Sequence, residues 1–322
     1  MKAAVYYETG APDVFRYEDV PDPTVGATDI LISVEAVSIE GGDTLNRLGG
    51  AMNARPHIVG YQCAGVVVAL GDEVSGFAVG DRAVTVGVDG SHAALRSVPE
   101  SFAWKIPDTL ATDEAACVPV PFATASDCLF EFGHLVAAET ALIHAGAGGV
   151  GIAAIQLAKR AGARVFATAS SDDRLERLRA FGLDEGINYR DKDFVAEARR
   201  LTDGRGIDVI VDSVGGATLQ SSIKALAYRG RCVSVGDAGR APAEHLDIST
   251  MRGNNQSFSG YFLGAELALY PRAHALVATL LEDIARGELQ VVIDRAFPLA
   301  EAAGAHAYIE SRQAFGRVVL IP

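Results

Sequence analysis

A six-residue string, Gly146-Ala147-Gly148-Gly149-Val150-Gly151, constrains this chain more than any other feature. It follows the short apolar run Thr140–His144, which reads as a buried strand, and opens an apolar stretch, Val150–Ala161, which reads as a helix. A bare G-x-G-x-x-G match is weak, but between a strand and a helix it has a mechanical meaning. Gly146 permits the tight turn, Gly148 lets the backbone approach a pyrophosphate, and Gly151 allows the helix to pack closely on the strand. The helix start then offers unpaired amides and the positive end of its dipole to an anion. Gly146, Gly148, Gly149, Val150 and Gly151 are therefore candidate cofactor-binding residues, for a nicotinamide dinucleotide or a flavin.

The end of the next strand discriminates among nicotinamide dinucleotides. NAD sites place an acidic residue there, about 20 residues on, to hold the ribose 2′-hydroxyl. Here the strand ends Ala167-Thr168-Ala169-Ser170-Ser171, and Ser170 lies 19 residues past Gly151. Serine hydroxyls at 170 and 171 do not repel a 2′-phosphate, and Arg174 follows as a cationic partner. Asp172 and Asp173 oppose this reading unless they cap the helix and point outward. The pattern favours NADPH over NADH.

Up to about residue 110 the chain shows short strands, Ile30–Val37, Ala64–Leu70, Val84–Val88 and Ala94–Val98, parted by Gly/Asp turns. From Asp113, read as an N-cap, a helix is expected to Phe132. Strands and helices then alternate: Arg164–Ala169, Asp172–Phe181, Asp208–Val211, Thr218–Ala227, Arg231–Val235. Such alternation predicts a parallel, doubly wound sheet. Two helices, Ala273–Arg286 and Ala300–Ile309, and a strand, Arg317–Ile321, close the chain. A length of 322 residues suits two domains. The expected division is 1–121 with 261–322 for the β-rich domain and 122–260 for the dinucleotide-binding domain.

A net charge of −13 disfavours nucleic acid and anionic membranes as partners. No apolar stretch approaches the ~20 residues of a membrane span, and the opening Met1-Lys2-Ala3-Ala4 lacks a signal-peptide layout. A cytoplasmic location is expected. Cys63, Cys117, Cys128 and Cys232 are scattered and read as small core residues.

Several strings together resemble the quinone oxidoreductase (zeta-crystallin-like), zinc-free branch of the medium-chain dehydrogenase/reductase superfamily. They are Met1-Lys2-Ala3-Ala4, Gly65-Val66-Val67-Val68-Ala69-Leu70-Gly71, Phe77-Ala78-Val79-Gly80-Asp81-Arg82, the glycine string with Ala145, and Gly316-Arg317-Val318-Val319-Leu320. The resemblance covers nearly the whole chain. It implies an α/β protein with a GroES-like β-rich domain, a doubly wound Rossmann domain, an active cleft between them, and a homodimer. It further implies that Tyr189 joins Ser170 and Arg174 around a 2′-phosphate, and that Thr124 sits beside the nicotinamide. Ser213, Gly236, Tyr261 and Phe262 are implied to line the rest of the cofactor groove.

Zinc-dependent relatives carry a cysteine where Glu40 stands and Gly-His-Glu where this chain has Gly60-Tyr61-Gln62. Tyrosine and glutamine are poor Zn²⁺ ligands, and residues 82–110 lack the cysteines of a structural zinc. No metal is expected. Alcohol oxidation then lacks its Lewis acid, whereas hydride addition to a conjugated carbonyl needs none. Glu40, Asp43 and Arg47 fall in the family's substrate-side stretch, with Glu40 in place of the usual Asn and Leu45 in place of a Tyr. Asp43 and Arg47 either serve the substrate or pair with each other. Glu40 is either a proton relay or a salt-bridge partner of Arg47. Tyr61 either donates to a developing oxyanion or only packs. His144 reads as structural, His92 as a residue reaching the cleft, and His57, His134, His245, His274 and His306 as surface or loop residues. The functional expectation is NADPH-dependent reduction of a quinone or other α,β-unsaturated carbonyl. The alternatives are an enoyl-thioester reductase and a non-catalytic NADPH-binding sensor or structural protein.

Overall fold

Apolar side chains at every second position make the first half of the chain sheet-forming, and a continuous apolar run in each later strand makes the middle a buried parallel sheet. The computed structural model describes residues 1–241 and 246–322; His245 lies outside them. In chain order the elements begin β1 Lys2–Val5, β2 Arg16–Asp19, β3 Asp29–Ser38, α1 Gly41–Gly49, β4 Gln62–Leu70, β5 Arg82–Val86, β6 Leu95–Pro99 and β7 Ala103–Lys105. They continue with α2 Thr112–Ala116, α3 Pro119–Ser126, β8 Thr140–Ile143, α4 Gly149–Arg160, β9 Arg164–Ala169, α5 Asp172–Leu178, β10 Glu185–Asn188 and α6 Phe194–Leu201. The rest are β11 Ile207–Asp212, α7 Gly216–Ala225, β12 Leu226–Ser234, α8 Ser249–Gly253, β13 Ser257–Gly260, α9 Leu263–Leu269, α10 Pro271–Ala285, β14 Ile293–Pro298, α11 Ala302–Glu310 and β15 Arg317–Ile321.

Contacts divide the chain into two units: Met1–Ala123 with Gly264–Pro322, and Thr124–Leu263. The first is the GroES-like domain. Its main sheet runs β14-β15-β3-β4-β5-β7, with β6 also paired to β3. Along β3, Ile30, Ile32 and Val34 alternate inward, as a strand's two-residue period requires. They meet Val67, Val98, Val318 and Leu320 in one apolar core.

The second unit is the Rossmann domain. Six strands, all parallel, lie in the order β10-β9-β8-β11-β12-β13. Every residue of β8 and β11 is buried, as expected of central parallel strands covered on both faces. Leu142, Phe166, Ile187, Ile207 and Ile210 form the core on one face, against Ile223 of α7.

The structure corrects several sequence readings. The helix expected over Asp113–Phe132 is broken into α2, α3 and a π-helical turn at Asp127–Glu131. Pro119 opens α3 because a proline lacks the amide that would continue α2. Ala111, not Asp113, occupies the N-cap of α2, and Asp113 Oδ1 accepts from the Glu114 amide inside the first turn. The stretch around Glu40 to Arg47, to which the sequence pattern assigns no element, is a helix, α1. All four cysteines are buried. No helix among the described residues is long and apolar enough to cross a membrane.

Candidate functional site

Within the parallel sheet, the chain leaves β8 on one side toward β9 and returns on the other side at β11. The reversal of strand order opens a crevice at the carboxyl ends of these two strands, where α/β sheets bind ligands. The glycine string occupies this point. Ala145 adopts a left-handed φ of 50°, a conformation that strains a residue with a Cβ. Its carbonyl accepts from Gly148 N at 2.9 Å and closes the turn, while Gly146 N donates to Thr168 O at 2.9 Å. Ile152 N is bonded to Gly148 O at 2.9 Å, so the amides of Gly149, Val150 and Gly151 precede the helical ladder.

The three glycines of the motif differ in what they avoid. A Cβ at Gly151 would stand 2.5 Å from Ala145 O and 2.6 Å from Gly146 O, and one at Gly146 would stand 2.9 Å from the Ala167 Cβ. Those two serve internal packing. A Cβ at Gly148 would meet only Ala145 O, at 3.3 Å. Position 148 is thus less crowded than 146 or 151, though still tight against the Ala145 carbonyl, and its bare backbone leaves a cradle that a Cβ would fill. A pyrophosphate against the first-turn amides fits it.

Beneath the loop, His144 Nδ1 lies 3.0 Å from Thr168 Oγ1 and Nε2 lies 3.0 Å from Ser222 Oγ. Ser222 donates to Asp212 Oδ2 at 2.8 Å, and Asp212 Oδ1 accepts from the Val214 and Gly215 amides. Burial pushes the His144 imidazole below its ordinary value. The order is Asp–Ser–His, fully buried, so it braces the loop and does not present a nucleophile.

The other expected cofactor residues also follow strand ends of this sheet: Ser170 and Ser171 after β9, Tyr189 after β10, Ser213 after β11, Gly236 after β12, Tyr261 and Phe262 after β13. Parallel strands thereby gather them on one edge. Ser171 caps α5, its Oγ accepting from Arg174 N at 3.4 Å. Asp172 is turned to Asn188, whose Nδ2 donates to it at 3.3 Å, and is not the cap. Tyr189 and Phe262 are exposed. Tyr261 is instead buried, its hydroxyl donating to Asp127 Oδ2 at 2.9 Å and its ring set edge-on to Phe132. Thr124 on α3 is buried.

In the GroES-like unit the four candidate catalytic residues cluster on and beside α1. Glu40 is buried and forms an ion pair with Arg317 of β15, and it also accepts from Gln62 Nε2 and Ser38 Oγ. Gln62 Oε1 in turn accepts from Val120 N at 3.0 Å. Burial pushes the Glu40 carboxyl upward against the pull of Arg317. Burial disfavours the Arg317 charge too, but Glu40 opposite holds the guanidinium protonated. Asp43 Oδ2 accepts from Glu40 N at 2.8 Å, and burial pushes this carboxyl up to about 8. Arg47 pairs with Glu310 and donates to Gly10 O. Both pairings considered from sequence, Asp43 with Arg47 and Glu40 with Arg47, are therefore corrected: Glu310 and Arg317, distant in sequence, supply the partners.

Tyr61 lies half-buried just before β4, with its hydroxyl 3.0 Å from Asn46 Nδ2. Burial pushes its phenol up to about 12. Asn46, Gln62 and Arg317 were not singled out as functional from sequence. An arginine opening an otherwise apolar strand, Arg317-Val-Val-Leu, was the available signal for a buried carboxylate partner.

His92 does not line a surface. It is buried, with Nε2 3.0 Å from Nε2 of His306, which is also buried, and burial pushes it down to about 3. His57 lies in the connection between α1 and β4, as one of the two alternatives had it, but is buried beside Tyr6; His306 is corrected from surface or loop to the buried face of α11. His134 is exposed, and His274 stacks on Trp104 at 4.5 Å. Among the described residues no three His, Cys, Asp or Glu side chains gather as a metal site.

Known proteins resemble this chain in sequence and in fold. The alcohol dehydrogenase GroES-like domain matches residues 26–108 and the zinc-binding dehydrogenase family matches residues 149–281. A quinone oxidoreductase of Pseudomonas aeruginosa is 33% identical over 97% of both chains. A 2-haloacrylate reductase of Burkholderia sp. is 31% identical over 100% of this chain and 99% of its own. A phenolphthiocerol/phthiocerol polyketide synthase chain of Mycobacterium tuberculosis is 34% identical over 99% of this chain, which spans only 15% of that relative's length. Among solved structures, the quinone oxidoreductase of Escherichia coli complexed with NADPH superposes with a TM-score of 0.95 at 26% identity, covering 100% of both chains. This protein belongs to the quinone oxidoreductase-like branch of the medium-chain dehydrogenase/reductase superfamily, a family of oxidoreductases.

Proposed function

We propose that this protein is an NADPH-dependent reductase of quinones or other α,β-unsaturated carbonyls that works without a metal. The observation that carries the reading is the Gly148 cradle, a bare backbone position at the start of α4 on the switch point of the sheet, less crowded than Gly146 or Gly151. Gly148, Gly149, Val150 and Gly151 would hold the pyrophosphate, and Ser170 and Arg174 the 2′-phosphate; the E. coli relative's complex with NADPH supports that choice of cofactor. Reduced nicotinamide, when bound, supplies a hydride to an electron-poor carbon. The chain's own task is then to hold the substrate oxygen and give it a proton. Tyr61, neutral across the physiological range, suits that task. Glu40, tied to Arg317, Gln62 and Ser38, is better suited to bracing α1 than to relaying protons. Kinship with a quinone oxidoreductase and a 2-haloacrylate reductase supports an acceptor whose double bond is conjugated to a carbonyl or carboxyl group. The family resemblance also supports a homodimeric, cytoplasmic enzyme as part of this proposal.

Likeness to a portion of a polyketide synthase favours a second reading, reduction of an enoyl thioester. One experiment separates the readings. Purified protein is mixed with NADPH and, in turn, a quinone, a simple enone and an enoyl-CoA, and loss of nicotinamide absorbance is followed. Turnover of quinone or enone supports the proposal, and turnover of enoyl-CoA alone supports the second reading. NADPH binding with no turnover of any acceptor would indicate a non-catalytic nucleotide-binding protein.

A further inference from the structure

Residue 61 is held at more points than a packing tyrosine requires. Its carbonyl accepts from Gly87 N at 2.7 Å and from Arg96 Nη1 at 3.0 Å. Its ring rests on Gly42 of α1, where a Cβ would stand 2.5 Å from both Cε2 and the hydroxyl oxygen. Backbone and ring are thereby placed, and the direction of the O–H bond is left to whatever touches the oxygen. That neighbour is Asn46 Nδ2, at 3.0 Å, while Asn46 Oδ1 faces Gly50, 2.8 Å from where a Cβ would stand there.

We propose that Asn46 is a positioning residue that fixes Tyr61 as a hydrogen-bond donor to the carbonyl oxygen of the substrate, an inference that rests on the reductase reading above. An amide NH₂ can only donate. The phenol oxygen accepts from it, so the phenol's own hydrogen must point to another acceptor. As hydride adds to the β-carbon, the electron pair of the C=C bond shifts toward the carbonyl oxygen. The Tyr61 proton passes to that oxygen, giving an enol and a tyrosinate, which regains a proton from water. The Asn46 N–H, already directed at the phenol oxygen, stabilises the negative charge left there. Burial keeps the phenol neutral beforehand, so Tyr61 meets the substrate with its proton in place, and the Asn46 donor offsets the cost that burial lays on the tyrosinate. The device selects acceptors with an oxygen conjugated to the reducible bond.

Asn46→Asp tests this with little change of shape, because a carboxylate only accepts and would recapture the Tyr61 hydrogen. Tyr61→Phe should lower kcat by about 100-fold, the usual contribution of a positioned acid. Asn46→Asp should lower it by about tenfold or more, with NADPH affinity unchanged, and should add nothing in the Tyr61→Phe background. Asn46→Ala, which removes the donor without recapturing the hydrogen, should lose less than Asn46→Asp. Infrared difference spectra with isotope-labelled tyrosine, using Tyr61→Phe to identify the band, read the hydrogen bonding of the phenol without turnover. The Tyr61 C–O band should shift in Asn46→Asp and, should that variant not fold, in Asn46→Ala. An unshifted band, or equal kcat in Asn46→Asp and the parent, overturns the proposal. A parent inert toward every carbonyl acceptor overturns the reductase reading itself, and this inference with it.

Discussion

Arg317→Met is the perturbation to which the buried cluster around α1 should respond most strongly. Arg317 is 8% exposed and Glu40 5%, so their ion pair has little solvent to screen it. The guanidinium also donates to Ser38 Oγ at 2.6 Å and to Ile39 O at 2.7 Å. Methionine can fill the volume of the arginine stem, but it leaves Glu40 buried without its cationic partner, held by neutral donors such as Gln62 and Ser38. Removing one partner of a buried pair destabilises a fold by about 3–5 kcal/mol. The pH dependence has a definite sign. Burial already raises the Glu40 carboxyl, and loss of Arg317 raises it further. A raised folded-state value means that the variant's penalty is absent below about pH 4 and grows as pH rises through the folded-state value. Urea unfolding followed by Trp104, the single tryptophan and a residue of the same unit, measures this locally. With a slope of about 2–3 kcal/mol per molar, the midpoint at pH 8 should fall by about 1–2 M. The double variant Glu40→Gln/Arg317→Met should recover part of the loss, with a coupling of about 2 kcal/mol. A midpoint that does not move, a loss independent of pH, or a double variant no better than the single would refute the reasoning.

Other consequences are equally specific. Gly151→Ala places a Cβ 2.5 Å from Ala145 O, so its melting temperature should fall by several degrees, as expected of about 1–2 kcal/mol of backbone strain. Arg174→Ala should weaken NADPH by about tenfold through loss of a charge-assisted bond while leaving NADH unchanged in the same binding titration; equal losses for both would remove Arg174 from the 2′-phosphate. Asp43 is pushed up to about 8 in the folded protein, so the parent loses stability as pH rises from about 4 through that value. The uncharged amide of Asp43→Asn would still accept from Glu40 N, so melting curves should favour the variant at alkaline pH, and parallel pH profiles for the two proteins would contradict the assignment.

Much of the fold was readable because its signals are local. Alternation along Asp29–Ser38 and the continuous apolar runs of Thr140–Ile143 and Ile207–Asp212 mark strands with one and two covered faces, respectively. Helix α1 carries no strong local signal, since it opens on Gly41-Gly42, two poor helix formers, and its first turn is closed by Asp43 reaching back to the Glu40 amide. The substrate-side cluster was only partly legible for a different reason. Asp43 and Arg47 stand four apart, the spacing of a helical ion pair, but Glu310 lies 263 residues away from Arg47 and Arg317 lies 277 from Glu40. Nothing local announces such partners. The same holds for His92 and His306, polar residues 214 positions apart that satisfy each other in the core.

Cofactor binding by this protein centres on the cradle at Gly148. Isothermal titration of NADPH against the parent and Gly148→Val, with melting curves of both, tests it most directly. The parent should bind, and the variant should lose at least tenfold in affinity, about 1.4 kcal/mol, while still melting as a folded protein at a somewhat lower temperature, because the new Cβ stands a tight 3.3 Å from Ala145 O but meets none of the closer contacts found at Gly146 and Gly151. Equal affinity in the two proteins, or a parent that does not bind NADPH, would contradict the central claim.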